Sequence, residues 1–466
     1  MGSEFFEVAL PEMDSIYFYG YLGLTFMIAL RLVLKSQSKY KFELLFLSFF
    51  LMSGSISDIL TFKIPGVSFF EIQPDRFLFF LFAFFLARNL LFPNKDIRLP
   101  IGWSMPWFKI FIYIYVFLVI SSQVFHVNDN GAAELITNTV YALNILLFMY
   151  CVRVMTDEET IRIIGSALII GAIFASITSI IQFLIDPMFL RVGDQRIAFG
   201  STLRSNGLFI NEYLNAYLII TALAWVLITY KDGVIKYLLY VIFSVGVICS
   251  FQRMSWLILS IVSFIYFTQI RKISFSRLLA VGLVGLSILI TVFMLFRADI
   301  MNSTLVKQRL SEPIDSRAGY YTTALDNVGK KPIFGFGGKN NDVYYYSMLM
   351  ITSNRDRATG VAGDFHSGYF STMFYYGLLA FLAFVGIVVT TIGYFGSLLK
   401  THLIFSIPFL VALLFGVGNL TNTFLLDSYL CLILAIHLGI GQKLKELYTT
   451  SNGTHELFLP SNNTKA

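Results

Sequence analysis

Charged residues are scarce in this chain. Asp, Glu, Lys and Arg make up only 13% of its 466 residues, whereas 56% of the residues are hydrophobic. Runs of about twenty apolar residues recur along the chain, each long enough to cross a hydrocarbon core of about 30 Å. A helix of a soluble protein has one apolar stripe and not an apolar circumference, so this pattern excludes a soluble fold. The sequence predicts an all-α polytopic membrane protein.

Cysteine is also rare, with three residues in the whole chain. Cys151, Cys249 and Cys431 all lie in apolar segments, so we interpret them as small core residues rather than as a disulfide or metal site. The first fifteen residues lack the basic region of a cleavable signal peptide. The net charge of +6 does not indicate nucleic acid binding, because the basic residues stand mostly in short loops between apolar runs.

The apolar runs predict about 12–13 transmembrane helices. Their approximate bounds are 16–34, 42–60, 77–92, 107–125, 133–152, 161–185, 208–230, 236–251, 254–270, 278–296, 367–398, 403–418 and 422–441. Thr156-Asp-Glu-Glu159 predicts a capping box that opens the sixth span. Positive charge follows every odd-numbered span, which predicts that these loops and the C-terminus are cytoplasmic and that the N-terminus is outside.

A polar segment interrupts the apolar pattern between residues 297 and 366. Because of it, we divide the chain into four parts. These are transmembrane helices 1–10 with short loops in 1–296, a large outer loop containing short helices in 297–366, C-terminal transmembrane helices in 367–441 and a cytoplasmic tail in 442–466. A membrane protein with one such loop places its chemistry, or its partner, at one membrane face.

Cations on the predicted outer face need a reason other than topology. They are Arg191, Arg196 and Arg204 before the seventh span, Arg253 in the turn after the eighth, and Arg309 and Arg317 in the long loop. Arginine stays charged and binds phosphate through two parallel hydrogen bonds. Converging arginines therefore predict a pocket for a phosphate or pyrophosphate at the headgroup level. The alternative is that they bind phospholipid headgroups or pair with acids such as Asp194 or Asp315.

Two further features belong to the end of the long loop. His366, at the mouth of the eleventh span, can deprotonate a hydroxyl or hold a sugar. The alternative is a helix-start histidine bonded to Asp364 or to a backbone carbonyl, and no His or Cys lies nearby at the spacing of a zinc site. Pro332-Ile-Phe-Gly335-Phe-Gly337-Gly338 lacks the lysine and strand context of a phosphate-binding loop, so we predict a turn.

Four ordered stretches resemble the O-antigen ligase and O-antigen polymerase superfamily of bacterial envelope glycosyltransferases. They are Arg204-Ser-Asn-Gly207 with Asn211, Ser250-Phe-Gln-Arg253, Arg317-Ala-Gly-Tyr-Tyr321 through Pro332-Ile-Phe-Gly335-Phe-Gly337, and His366-Ser-Gly-Tyr369 through Tyr376-Gly377-Leu-Leu. The resemblance covers about residues 200–380; the N-terminal half matches only in hydropathy. Ser367 departs from the asparagine that usual members have there. The spacing of an arginine, ten residues and a glycine, common in the polymerases, fits Arg196 to Gly207, but Arg309 to Gly319 is one residue short.

The resemblance implies an inverting C-type glycosyltransferase of the bacterial inner membrane that acts at the periplasmic face, without a metal or other cofactor. The implied partners are a glycan donor on undecaprenyl pyrophosphate, a lipid-linked glycan acceptor, membrane lipids and a chain-length regulator protein, with no nucleic acid. It implies catalytic roles for His366, Arg253 and Arg317. The implied substrate-binding residues are Arg204, Arg196, Arg191, Arg309, Asn211, Tyr320 and Asp364.

Three functions fit these features. The first is a polymerase that transfers a lipid-linked glycan onto the next lipid-linked repeat unit, favoured by the arginine–glycine spacing. The second is a ligase that passes the glycan to lipid A core. The third, of another class, is a flippase or transporter of lipid-linked glycans. Transporters usually bind substrate near the midplane and carry internal repeats, whereas here the polar residues crowd the outer face and no repeat is evident.

Overall fold

The computed structural model describes residues 15–63, 71–91, 105–192, 197–199, 202–274, 276, 315–338, 365, 367–423 and 427–450. The helices in these ranges are α1 Ser15–Leu34, α2 Lys41–Ser53, α3 Pro74–Leu91, α4 Pro106–Phe125, α5 Val127–Asn130, α6 Ala132–Met155, α7 Glu158–Leu184, α8 Glu212–Thr229, α9 Val234–Cys249, α10 Arg253–Ile265, α11 Asp315–Val328, α12 Gly368–Tyr376, α13 Leu378–Leu398, α14 Ser406–Gly418 and α15 Ser428–Thr450. Short 3₁₀ turns follow α2 at Gly54–Leu60 and precede α14 at Leu403–Phe405, and a π-helical turn at Tyr266–Ile270 extends α10.

Extended backbone is confined, in the described ranges, to two small antiparallel hairpins. Strand β1 Phe62–Lys63 pairs with β2 Glu71–Ile72, and β3 Ile197–Phe199 pairs with β4 Thr202–Leu203. The second hairpin shows a register irregularity between Ile197 and Phe199. Both hairpins lie in connections between helices, so they leave the all-α architecture intact.

Seven helices in the described part of the chain are long and apolar enough to cross a membrane. They are Ile16–Leu34, Lys41–Leu60, Pro106–Phe125, Glu134–Met155, Glu158–Leu184, Glu212–Thr229 and Leu378–Leu398. Shorter apolar helices at Val234–Cys249, Arg253–Thr268 and Leu403–Gly418 occupy three more of the predicted spans, and α3 and α15 occupy the third and the last. The all-α polytopic fold is thereby confirmed. The predicted span 278–296 lies outside the described residues, and the fourfold division of the chain stays a prediction.

One predicted span, 367–398, is in fact two helices. α12 ends at Tyr376 and α13 begins at Leu378, with Gly377 between them at φ +91°. A Cβ on this glycine would lie 2.4 Å from the carbonyl oxygen of Ile333, so both the backbone angle and the close approach require glycine. The hydropathy of the segment is continuous across the break, and for that reason the sequence pattern did not predict it.

The helix ends gather at two faces. At one face Arg153 Nε donates to Glu446 Oε1 over 2.7 Å and the Tyr448 hydroxyl to the Thr401 carbonyl over 3.4 Å, which places the ends of α6, α13 and α15 together. The backbone amide of Gln37 bonds the Glu159 carboxylate, which brings the α1–α2 connection to the same face. We call this the basic face, because it also carries the described lysines and arginines that follow the odd-numbered spans.

The opposite face holds the end of α2 and the starts of α8 and α15. The amide of Ser55 donates to the Leu208 carbonyl over 3.0 Å, and the Tyr429 hydroxyl donates to the Leu51 carbonyl over 3.0 Å. We call this the site face. The partition agrees with the alternation predicted from charge, while the identity of the cytoplasmic side stays a prediction.

Helix α7 begins close to its predicted cap. The backbone amide of Thr160 donates to Asp157 Oδ1 over 2.7 Å, so Asp157 is the N-cap residue. The capping-box pattern predicts Thr156 as the N-cap residue, and this prediction is wrong by one residue. The Thr156 hydroxyl instead donates to the Val152 carbonyl at the end of α6. Glu158 and Glu159 occupy the first turn, where their carboxylates interact favourably with the positive end of the helix dipole.

Helix α8 lies at the centre of the molecule. In its membrane-length window, 89% of the residues are buried, a larger share than in any of the other six long apolar helices. The helix begins on the site face at Glu212, directly after the Arg204–Gly207 segment. The most enclosed helix of the described fold therefore fixes the position of the first of the motif segments.

Candidate active site

Gln182, near the end of α7, fixes the backbone of the Arg204–Gly207 segment. Its side-chain oxygen accepts hydrogen bonds from the amides of Asn206 over 3.0 Å and Gly207 over 2.8 Å, and from the Ser205 hydroxyl over 3.2 Å. Its side-chain nitrogen donates to the Gly207 carbonyl over 2.9 Å. Because Gln182 is fully buried, these bonds form away from solvent and give the segment one conformation.

Gly207 cannot be replaced without moving its neighbours. Its φ is +57°, in the left-handed region, and a Cβ at this position would lie 2.0 Å from Asn215 Oδ1. Asn215 in turn donates to the Ser179 hydroxyl over 2.7 Å. The glycine of this motif is thus explained by close approach to a buried polar pair between α7 and α8.

Arg204 makes a partly buried ion pair with Glu212. The distance from Nη1 to Oε1 is 3.0 Å, and the two side chains are 19% and 4% exposed. Pairing with an acid such as Asp194 or Asp315 is the predicted alternative to phosphate binding. The acid that pairs with Arg204 in the structure is Glu212. The pair lies at the opening of α8, where the carboxylate also faces the positive end of the helix dipole.

Arg191 is buried and donates hydrogen bonds to backbone carbonyls. Its Nε donates to the Pro187 carbonyl over 2.6 Å, and its Nη2 donates to the Arg204 carbonyl over 2.6 Å. Burial lowers the pKa of Arg191 to about 10, an effect that Glu212 partly offsets, so the side chain is still charged at neutral pH. Arg191 therefore supports the backbone of Arg204, in addition to any contact with a substrate.

Arg253 differs from these two arginines. It is the first residue of α10, its side chain is exposed, and it forms no ion pair with any described residue. The turn before it contains Phe251 at φ +51°, a left-handed conformation that costs a bulky residue about 1–3 kcal/mol. The Phe251 ring stacks on Phe183 at a centroid distance of 5.2 Å, which helps to hold the turn. A solvated cation is thus presented on a constrained turn.

The Arg204 segment and the Arg253 turn are in direct contact. The amide of Ser205 donates to the Cys249 carbonyl over 3.2 Å, which joins the backbone after Arg204 to the end of α9. Cys249 stands four positions before Arg253. The first two motif segments, about fifty residues apart in sequence, therefore meet at one place on the site face.

The segment that follows His366 reaches the same place through the α14–α15 connection. The amide of Gly368 donates to the carbonyls of Asn419 over 2.9 Å and Asn422 over 2.8 Å, and the Ser367 hydroxyl donates to the Asn419 carbonyl over 3.1 Å. Asn422 Oδ1 accepts from Gln252 Nε2 over 3.3 Å. Asn419 and Asn422 thus join the residues beside His366 to the residue beside Arg253.

The third motif also converges on α12. The Tyr321 ring, in α11, stacks on Phe370 with centroids 4.4 Å apart and planes at 18°. The predicted turn at 332–338 is confirmed: the amides of Phe336 and Gly337 donate to the carbonyls of Phe374 over 2.9 Å and Tyr375 over 2.8 Å. The glycine-rich turn therefore binds the free carbonyls at the end of α12 and completes the helix break at Gly377.

Helix α4 supports this turn from the other side. The Ser122 hydroxyl donates to the carbonyls of Phe334 over 2.5 Å and Tyr375 over 3.0 Å. Gln123 Nε2 bonds the Gly337 carbonyl. Sequence reasoning missed Ser122 and Gln123, together with Gln182, Asn419 and Asn422. The signal available was a polar residue near the outer end of a predicted span, a position that many polar residues share.

Several predicted site residues are not placed by these contacts. Arg196, Arg309, Asp364 and His366 lie outside the described residues, and for Arg317 and Tyr320 the structure describes only their position in the backbone of α11. Asn211 is the N-cap residue of α8, and its side-chain nitrogen donates to the Tyr213 hydroxyl over 3.2 Å. Within the described ranges no three His, Cys, Asp or Glu side chains come together as a metal ion would require.

Comparison with known proteins agrees with the predicted resemblance. Residues 238–385 match a family described as O-antigen ligase, a range that includes the Arg253 turn, α11 and the break at Gly377 but not Arg204. An uncharacterized protein from Haemophilus influenzae is 28% identical over 153 residues, which are 31% of this chain and 38% of that protein. The aligned region thus spans less than two fifths of that relative's length.

Proposed function

We propose a function from one premise: residues 238–385 match the O-antigen ligase family, within the O-antigen ligase and polymerase superfamily. The protein is a polysaccharide polymerase that transfers a glycan from undecaprenyl pyrophosphate onto a lipid-linked repeat unit at the periplasmic face of the bacterial inner membrane. It is a glycosyltransferase of the C type, inverts the anomeric centre, and uses arginine rather than a metal ion to hold the pyrophosphate.

The convergence of the motif segments carries this proposal. Hydrogen bonds join Ser205 to Cys249, Gln252 to Asn422, and Asn422 to Gly368, although these residues are spread over more than two hundred positions. Contacts of this kind place the Arg204 segment, the Arg253 turn and the start of α12 around one location. A pyrophosphate and an acceptor hydroxyl must be brought together in the same way for glycosyl transfer.

The reaction forms one bond and breaks one. An acceptor hydroxyl oxygen attacks the anomeric carbon of the donor, and the bond from that carbon to the pyrophosphate oxygen breaks with its electron pair going to the leaving group. The hydroxyl proton passes to a base, a role we assign to His366, worth about 10²–10⁴-fold in rate. Inversion follows from attack on the face opposite the leaving group.

The arginines stabilise the charge that develops on the leaving pyrophosphate. This role is best supported for Arg253, because its side chain is exposed and forms no ion pair with a described residue. Arg204 contributes from within its ion pair with Glu212, and Arg317 is assigned by resemblance from α11. Arg191 fixes the Arg204 backbone, and Arg196, Arg309, Asn211, Tyr320 and Asp364 complete the proposed contacts with substrate.

A ligase is the second candidate, since the matching family is described as O-antigen ligase. The two reactions share the donor and the chemistry of the leaving group and differ in the acceptor. A flippase gains no support from the family match. A chain-length regulator protein would bind only if the protein is a polymerase, because a single transfer to lipid A core leaves no chain length to control.

The experiment uses the purified full-length protein in lipid, given lipid-linked repeat units without a proton gradient. Chain growth supports the polymerase. Transfer that occurs only when lipid A core is supplied supports the ligase and contradicts the polymerase. If no glycosidic bond forms with either acceptor, both proposals are wrong. Addition of a chelator should leave the rate unchanged, and a loss of activity on chelation would contradict the role given to arginine.

A further inference from the structure

A cationic cavity lies on the basic face, away from the candidate active site. It has a volume of about 440 Å³ and opens between the start of α2 and the end of α3. Three of its lining residues are cations, Lys39, Lys41 and Arg88. We propose that this cavity binds the headgroup of an anionic phospholipid in the leaflet that borders the basic face.

The cavity is built by contacts that hold α2 and α3 together. The Tyr40 ring packs edge-on against Phe85 with centroids 5.6 Å apart, and the Tyr40 amide donates to the Ser38 hydroxyl over 3.2 Å. Ser38, which lines the cavity, is buried. The bend between α1 and α2 is therefore fixed against α3, and these contacts hold the walls of the cavity in place.

The charge of the cavity is complementary to a phosphate. The lining contains three cations and one carboxylate, Glu43, which is only 7% exposed. Arg88, in the last turn of α3, can bind phosphate through two parallel hydrogen bonds, and its guanidinium is positioned 5.8 Å from the Phe85 ring. Lys41 begins α2, where the helix dipole adds further attraction for an anion.

The apolar walls distinguish a lipid from a free phosphate. Phe42 and Phe84 line the same cavity and are 58% and 67% exposed. Exposed phenylalanines beside cations, on the apolar helices α2 and α3, match an occupant with an anionic head and apolar tails. Basic pockets between membrane helices are known to hold anionic headgroups. This proposal does not depend on the reaction at the site face.

The test is native mass spectrometry of the purified full-length protein, offered phosphatidylglycerol and phosphatidylethanolamine in equal amounts. We expect the wild type to retain phosphatidylglycerol preferentially. Arg88→Gln and Lys41→Gln should each weaken that retention about fivefold, the effect of removing one cation near an anionic lipid. Arg88→Lys keeps the charge and should retain most of the binding. Both residues changed, Arg88 and Lys41, lie at exposed positions, and size-exclusion elution checks that the variants stay folded.

Lys400→Gln is the matched control, because Lys400 is an exposed lysine on the basic face, at the end of α13, that does not line the cavity. It should retain phosphatidylglycerol as the wild type does. Equal retention of the two lipids, or an equal loss in Lys400→Gln, would overturn the proposal. So would displacement of the lipid by glycerol 3-phosphate at the same concentration, since that result assigns the cavity to a soluble phosphate.

Phe84→Ser should weaken lipid retention; an unchanged result also contradicts a lipid occupant.

Discussion

At the scale of single residues, the arginines of the site face are held in three different ways. Arg191 is buried against backbone carbonyls, Arg204 is paired with Glu212, and Arg253 is exposed. A paired arginine must share its charge with its carboxylate, whereas a solvated one brings its full charge to a phosphate. We therefore expect Arg253 to have the largest direct effect on the reaction and Arg191 the smallest.

Arg204 has a structural role that its variants must separate from catalysis. Arg204→Ala leaves Glu212, which is 4% exposed, without its cation, and we expect a loss of about 3–5 kcal/mol in stability. The double variant Arg204→Ala with Glu212→Ala removes the unpaired charge and should recover most of the melting temperature. Thermal unfolding in detergent measures both. If the single variant is as stable as the wild type, the ion pair does not stabilise the fold.

The sequence could predict the arginines and not their partners. An arginine on the outer side of a membrane protein is conspicuous because it violates the charge rule for loops. Glu212 was visible too, but it stands eight positions from Arg204, beyond the three- and four-residue spacings at which helical neighbours meet. Its pairing depends on the bend of the Arg204–Gly207 segment, which Gln182 fixes from another helix.

At the scale of elements, the connection between α14 and α15 is the junction of the site. Its Asn419 and Asn422 bind the start of α12, and Asn422 also binds Gln252 beside the Arg253 turn. Asn419 is fully buried, and its Oδ1 has no hydrogen-bond partner among the described residues. That oxygen lies against Gly368, so glycine is the residue that allows α12 to approach the connection.

Gly368 gives a test of this junction. A Cβ on Gly368 would lie 1.9 Å from Asn419 Oδ1, so Gly368→Ala should displace α12 and reduce transfer at least tenfold. Shortening the opposing side chain in Gly368→Ala with Asn419→Ala should restore part of the rate, because the backbone carbonyl of residue 419 is kept. Rates of transfer and melting temperatures are measured for both variants.

Gly393→Ala is the control for that pair, since a Cβ there meets nothing within 4 Å. It should behave as the wild type. If Gly368→Ala is equally silent, α12 is not held by this contact. If the double variant is no better than the single one, the clash with Asn419 is not the cause of the defect.

Helices were the elements that the sequence predicted best. Long apolar runs at 107–125, 161–185 and 208–230 became α4, α7 and α8 with small shifts at their ends. The break at Gly377 was missed because it depends on hydrogen bonds from the 332–338 turn, a segment about forty residues away in the chain. Hydropathy reports how apolar a run is and carries no information about a neighbour that binds its carbonyls.

At the scale of the whole molecule, the helices separate a basic face from a site face. We predict that the site face is outside the cytoplasm, and single cysteines test this in intact cells. Ile210→Cys, at an exposed position on the site face, should react with a membrane-impermeant maleimide. Lys400→Cys, on the basic face, should react only after permeabilisation. The three native cysteines are buried, so the background is low. The opposite labelling pattern would contradict the orientation.

The sequence also predicted the type of site better than the contacts that hold the site together. The ordered motifs predicted a resemblance to the O-antigen ligase and polymerase superfamily, and residues 238–385 match a family described as O-antigen ligase. What joins them is a set of amide residues: Gln182 and Asn419, which are buried, and Asn422, which is partly buried. Buried amides carry no periodicity and no charge anomaly, so a single sequence gives no reason to select them among other polar residues within spans.

We propose that arginines on the site face stabilise the leaving group in glycosyl transfer, and Arg253 is the residue on which this role depends most. The measurement is the transfer rate of purified Arg253→Ala with lipid-linked repeat units, beside Arg162→Ala. Arg162 is an exposed arginine at the start of α7 on the basic face, paired with Glu158. We expect a loss of about 10²–10³-fold in rate for Arg253→Ala at an unchanged melting temperature, and a normal rate for Arg162→Ala. Full activity of Arg253→Ala, or an equal loss in both variants, would contradict it.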